Sequence, residues 1–172
     1  MDRLAKLSDN FLFYEAVQSS TASRLGIDNV PTDETIINAI KYHAQTVVQP
    51  IRDNYRSFSP NSWYRSPELE KAICASSYAA WCAKRNMHLC EASWQLYLSR
   101  KSHPRGEATD IRIPGVSNVA LFNWIKDESG IEYDQLILEF VPKHNPFEGW
   151  VHVSSFDEST GRKNRMQAFN IN

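Results

Sequence analysis

The sequence predicts an α+β fold: a single domain with a small antiparallel sheet flanked by helices. Helical periodicity governs most of the chain up to Gly130, and two-residue alternation replaces it afterwards. No strand–helix–strand alternation of the kind that builds a parallel sheet interrupts either part. At 172 residues, with no internal repeat, linker or low-complexity tract, the chain has the size of one domain (1–172) around one core.

Thr32, after Pro31, supplies a helix N-cap, and Asp33 and Glu34 complement the positive end of the helix dipole. Ile36, Ile37, Ile40, Ala44, Val47, Val48 and Ile51 then recur at three- and four-residue steps, which predicts an amphipathic helix ending near Pro50. His43 lies beside that stripe and reads as a structural or surface histidine. Ser66-Pro67-Glu68 combines a cap, a first-turn proline and a first-turn acid, so a second helix starts there with Leu69, Ala72 and Ile73 turned inward. Ser117 caps a third helix through Val119, Leu121, Phe122, Trp124 and Ile125, which Gly130 stops. Ala108–Pro114, Asp134–Phe140 and Gly149–Ser154 read as strands, the last two joined by a hairpin loop over Lys143–Pro146.

Lys and Arg total 19 against 20 Asp and Glu, so the net charge of −1 offers no general footprint for nucleic acid. No run approaches the ~18 apolar residues of a membrane helix, and no insertion into a membrane is expected. Residues 1–8 carry charge without the ~7–15 apolar residues of a secretory signal, so synthesis in the cytoplasm is expected. Cys74, Cys82 and Cys90, an odd set spaced by eight, fit neither a disulfide framework nor a zinc knuckle and are expected to be small buried thiols. Ser66 and Ser102 lack a His/Asp pattern, and there is no G-x-S-x-G or glycine-rich phosphate loop.

The residues that carry chemistry are His103, Asp110 and His152. Two imidazoles and a carboxylate form a catalytic-type zinc set, three protein ligands with a fourth position open. Gly106 lets the chain turn between His103 and Asp110, and strand alternation sets His152 on the face opposite Val151 and Val153. On spacing alone, the set competes with a loop histidine, a solvated aspartate and a histidine packed on Trp150.

His103-x-x-Gly106-x-Ala108-x-Asp110, together with Trp150-Val151-His152-Val153-Ser154, resembles the ligand motif pair of zinc D-Ala-D-Ala metallopeptidases, in the phage-type branch of that Hedgehog-like family. The resemblance extends to Leu7–Phe11, Gln49–Asp53, Tyr64–Pro67, Pro114–Asn118 and Asp134–Phe140, and so follows nearly the whole chain in order. It implies a Hedgehog/D,D-peptidase-like fold, zinc on His103, Asp110 and His152, and a peptidoglycan peptide as substrate, cut by a carboxypeptidase or an endopeptidase. It further implies a phage or prophage lysis enzyme that reaches the cell wall after release or is carried in a virion. The other class open to the same fold is a non-catalytic peptidoglycan-binding or virion structural module.

Two acids are candidates for the general base. In a hairpin about His144–Phe147, Glu139 falls across from His152 on the metal face, whereas Glu148 lies in the turn beside Gly149; Glu139 is the choice, and the resemblance points to it as well. Arg65, at a helix start, suits a substrate carboxylate or a developing oxyanion, and is otherwise an ordinary surface arginine. The segment from Cys74 to Lys101, with Trp81, Trp94 and Tyr97, reads as a surface elaboration whose aromatics pack on the domain, or as an aromatic rim to the site.

Overall fold

A computed structural model describes residues 2–55 and 57–156 and the backbone of 165–168. The helices are α1 (Phe13–Val17), α2 (Ser20–Leu25), α3 (Glu34–His43), α4 (Gln49–Asn54), α5 (Pro67–Ala83), α6 (Glu91–Leu98) and α7 (Asn118–Asp127). The strands are β1 (Ala108–Ile111), β2 (Tyr133–Glu139), β3 (Trp150–Ser155) and β4 (Arg165–Ala168), in sheet order β1-β3-β2-β4. The α+β class holds, and β1, β3 and β2 pair antiparallel as expected. The fourth strand is a correction: β4 runs parallel to β2, and four residues are too few to announce a strand by alternation. Among the described residues, no helix is long and apolar enough to cross a membrane.

The first predicted helix is capped by Asp33 in place of Thr32, its Oδ1 accepting from the Thr35 amide at 2.8 Å. The helix also does not end near Pro50. A π-helical stretch, Ala44–Val48, carries α3 into α4, and Pro50 falls in the first turn of α4, where its missing N–H is tolerated. The apolar stripe goes where its spacing sends it: Ile37, Ile40, Ala44, Val47, Val48 and Ile51 are all buried. They join Leu121 and Ile125 of α7 in a single core with Ile111, Leu136, Leu138, Val151 and Val153 of the sheet. Alternation leaves Asp110, Ile137, Glu139, Trp150 and His152 on the other sheet face, so one face builds the core and the other is free for chemistry.

Ser66 caps α5 as predicted, its Oγ accepting from the Leu69 amide, and Ser117 caps α7 in the same way through the Ala120 amide. The inward face of α5, however, is Leu69, Glu70, Tyr78 and Cys82; Ala72 and Ile73 are exposed. The cause is α6, against which α5 builds a satellite core: Tyr78 meets Trp94 and Tyr97 at ring-centroid distances of 5.3 and 5.4 Å, and Trp81 meets Tyr97 at 5.5 Å. Of the three cysteines only Cys82 is buried in it. Cys74 is half-buried and Cys90 exposed, contrary to the expectation of three buried thiols.

Two glycines set the turns that matter. Gly149, at φ +73°, lies so close to the Glu139 and Phe140 backbone that an added Cβ would fall 2.1 Å from the Glu139 carbonyl oxygen. Gly106, at φ +77°, rests on α3, where a Cβ would fall 2.7 Å from the Ile40 side chain and 2.9 Å from the Ile36 carbonyl. Left-handed backbone and overpacking each cost ~1–3 kcal/mol for a non-glycine residue. Gly106→Ala is therefore expected to lower unfolding stability by roughly 2–4 kcal/mol in urea titrations; a loss under about 0.5 kcal/mol would contradict this packing.

Candidate metal centre

Asp110 sits at the junction of three segments. Across β3 it is paired with His152, which places both side chains on the open face. On its other side the segment before α5 continues the sheet as a single bridge: the Asn61 amide donates to the Asp110 carbonyl, and the Asp110 amide to the Ser62 carbonyl, each at 2.8 Å. That bridge brings Trp63 and Arg65 to the site. Buried Asn29 fixes the same segment, donating to the Val17 and Tyr64 carbonyls and accepting from the Ser66 amide at 2.7 Å. His103 arrives on a 3-10 turn, His103–Arg105, closed by Gly106.

The three predicted ligands are brought together. All are buried, and one ligand atom from each lies within 4.8 Å of the others. His103 Nε2 is 3.2 Å, and His152 Nδ1 3.0 Å, from the same oxygen, Asp110 Oδ1. The opposite nitrogens have other partners: His103 Nδ1 lies 2.6 Å from the Trp63 carbonyl, and His152 Nε2 3.5 Å from Ser102 Oγ. A carbonyl only accepts, so His103 Nδ1 carries its proton. Burial lowers the His103 pKa, an effect that Asp110 only partly offsets, and favours the neutral ring. Its Nε2 lone pair then points at a carboxylate oxygen, acceptor against acceptor. Burial works against the charge on Asp110, yet interaction with His103 and His152 holds its carboxyl well below the usual range. A cation between the His103 Nε2 lone pair and the buried Asp110 carboxylate would satisfy both acceptors, with His152 Nδ1 converging on the same oxygen, and the outer hydrogen bonds on the two rings are of the kind that orient metal-bound histidines. The residues fit a metal ion, and the group is able to hold one.

Arg65 reaches the site with its guanidinium engaged on three sides: Nε donates to Ser62 Oγ at 2.9 Å, one terminal nitrogen lies 2.5 Å from Asp110 Oδ2, and the other 3.4 Å from Glu70. Buried Glu70 also lies 4.0 Å from Lys101 Nζ and accepts from the Cys74 thiol at 2.9 Å. Burial, with the Glu70 carboxylate beside it, pushes the Cys74 thiol up to about 11, so it stays protonated. Neither Glu70 nor the pairing of Ser102 with His152 was foreseen. Ser102 directly precedes a predicted ligand, which is a usable signal; Glu70 looks like any first-turn helix acid.

Glu139 closes β2 opposite Trp150, and Ile137 is the residue opposite His152, so the expected register is corrected by two residues. A two-residue shift keeps every side chain on its face, and Glu139 still lines the cleft with His152, Asp110 and Arg65. Its pKa is raised, chiefly by burial, against the pull of His152 and of a Trp150 indole N–H that lies near it but outside hydrogen-bond geometry. Glu148 is exposed in the turn, where it accepts from the Asn145 side chain. Comparisons with family models, with curated proteins and with solved structures return no match to this chain.

Beneath the centre, His43 is fully buried, edge-on to Trp63 and 3.0 Å from Thr109 Oγ1. Desolvation, joined by repulsion from His103 and His152, lowers its pKa to about 3. The unfolded chain, with a histidine pKa near ~6.5, then binds the extra proton, so stability is lost as pH falls from about 6.5 toward 3. Between pH 6 and 4, wild type is expected to lose ~1.4 kcal/mol per pH unit more than His43→Gln; equal slopes would contradict a neutral buried ring. The metal set makes a second prediction. Zinc at 100 times its Kd should add ~2.7 kcal/mol and raise Tm by ~5–10 °C, and His103→Ala should abolish the shift. An equal shift in the variant would place the metal elsewhere.

Proposed function

We propose that this chain is a zinc-dependent metallopeptidase that hydrolyses a peptide bond of bacterial cell-wall peptidoglycan. The observation that carries the reading is the His103–Asp110–His152 set in a cleft of about 640 Å³, with the Glu139 carboxylate on the same sheet face. Two imidazoles and a carboxylate suit zinc, and three protein ligands make a catalytic site where four would close it. The substrate class comes from the likeness of the ligand motifs to those of D-Ala-D-Ala metallopeptidases. The setting that goes with it is phage or prophage lysis, with the enzyme acting on the wall after release or from a virion.

Bound zinc would supply Lewis acidity, bringing the pKa of water down from 15.7 to about 7. Glu139 is the proton acceptor in this scheme. Its half-buried carboxylate, with a pKa raised by burial, is poised to take a proton from water and return it to the leaving amine. Arg65 steadies Asp110 and keeps two of its five N–H donors for a developing oxyanion. His103 and His152 are held in orientation by the Trp63 carbonyl and the Ser102 hydroxyl.

Glu139→Gln preserves shape but cannot accept a proton. It is expected to retain zinc and the wild-type unfolding transition while losing ~10²–10⁴-fold in turnover on purified sacculi. An active Glu139→Gln beside an inactive Glu148→Gln would move the base to the turn. Zinc-loaded wild type that binds sacculi and releases no new termini would contradict catalysis.

A further inference from the structure

The loop that joins β2 to β3 opens on a backbone conformation that its side chain does not favour. Among the described residues two non-glycines have positive φ, Asn86 and Phe140. Asparagine tolerates the left-handed region, but a bulky ring at φ +54° is strained there, and glycine or asparagine would hold the same turn at lower cost. Burial does not compensate, because Phe140 is 54% exposed. Its ring instead lies 5.0 Å from that of half-buried Trp150, and the two line the metal cleft together with Glu139. The surroundings enforce this geometry. Gly149 packs on the Phe140 backbone, where an added Cβ would fall 2.6 Å from the carbonyl oxygen. Buried Asn118 of α7 grips the other end of the loop, its amide donating to the Pro146 carbonyl and its side chain to the Glu148 carbonyl, each at 2.8 Å. Strain that neighbours hold in place, on an exposed aromatic beside a cleft, marks a residue kept for contact with a ligand.

The pair offers flat apolar faces, and it is flanked in sequence by two acids, Glu139 before Phe140 and Glu148 before Gly149 and Trp150. The stem peptides of the wall bring alanine methyls, carboxylates and a diamino acid. None of these has a broad apolar face, and carboxylates are repelled by the flanking acids. The pyranose rings of the glycan strand do have such a face. Their axial C–H bonds, slightly positive, match the negative face of an aromatic ring, and N-acetylation leaves their amino groups uncharged. Resting on the peptidoglycan reading of the cleft, we propose that Phe140 and Trp150 form a saccharide subsite that binds an N-acetylated amino-sugar ring of the wall glycan.

The test titrates zinc-loaded full-length protein with a β-linked tetramer of N-acetylglucosamine by calorimetry. Saturable binding is expected, weakened about fivefold or more by Phe140→Gly and by Phe140→Asn. Both variants are expected to keep their zinc and a urea midpoint close to wild type, because the strain relieved and the stacking lost offset each other. No binding by wild type, or equal binding by the variants, overturns the subsite. A large fall in midpoint for both variants assigns the ring to packing and overturns it as well. Stem peptides released from the wall by an amidase carry no sugar and test the other occupant: if the variants lose affinity for them by the same factor as for the tetramer, the pair reads peptide and the saccharide proposal falls. Phe140-dependent tetramer binding in a protein that cleaves no wall peptide supports the subsite and overturns the peptidase reading alone.

Discussion

The carbonyl of Trp63 can only accept a hydrogen bond, and this one-way chemistry organises the centre. It holds the His103 proton on Nδ1 and turns the Nε2 lone pair toward Asp110, where His152 Nδ1 converges on the same oxygen. Everything that places that carbonyl therefore belongs to the site: the Ser62–Asp110 bridge at the edge of β1, the Asn29 hydrogen bonds, and the burial of the Trp63 ring against Phe11 and His43. Gly106 completes the arrangement by letting the His103 turn sit directly on α3. The centre is thus fixed to the main core from below and does not depend on the α5–α6 satellite for its ligands.

That division explains the two walls of the cleft. The sheet supplies a rigid floor, with Asp110, His152 and Glu139 spaced by strand register, while α5 supplies a wall through Glu70, Ile73 and Cys74. Glu70 is where the two meet. A buried acid held between Arg65 and Lys101 is costly to desolvate unless both partners stay in place, so it couples the satellite to the ligand Asp110 through Arg65.

Much of this was legible in the sequence where the determinant was local. The apolar stripe of Ile37 to Ile51, the Ser66 and Ser117 caps and the outward face of His152 each follow from periodicity or from a side chain bonding its own helix start. What failed depended on partners distant in sequence. Pro50 did not end its helix because a π-helical turn precedes it, and Ile73 was not drawn inward because Glu70 and Tyr78 had partners outside their own helix. The hairpin register missed by two residues because the turn closes at Glu139 and Trp150, where Gly149 packs against the opposite backbone. The metal set survived that error because a shift of two conserves the face.

Zinc K-edge X-ray absorption on the metal-loaded protein tests the central claim most directly, because it reads the donor atoms themselves. The account predicts a first shell of nitrogen and oxygen only, at ~2.0–2.2 Å, with imidazole scattering from two histidines that His152→Ala reduces to one. A sulfur shell at ~2.3 Å would place the metal on the cysteines, and a shell unchanged by His152→Ala would place it away from this cleft; either result would contradict the account.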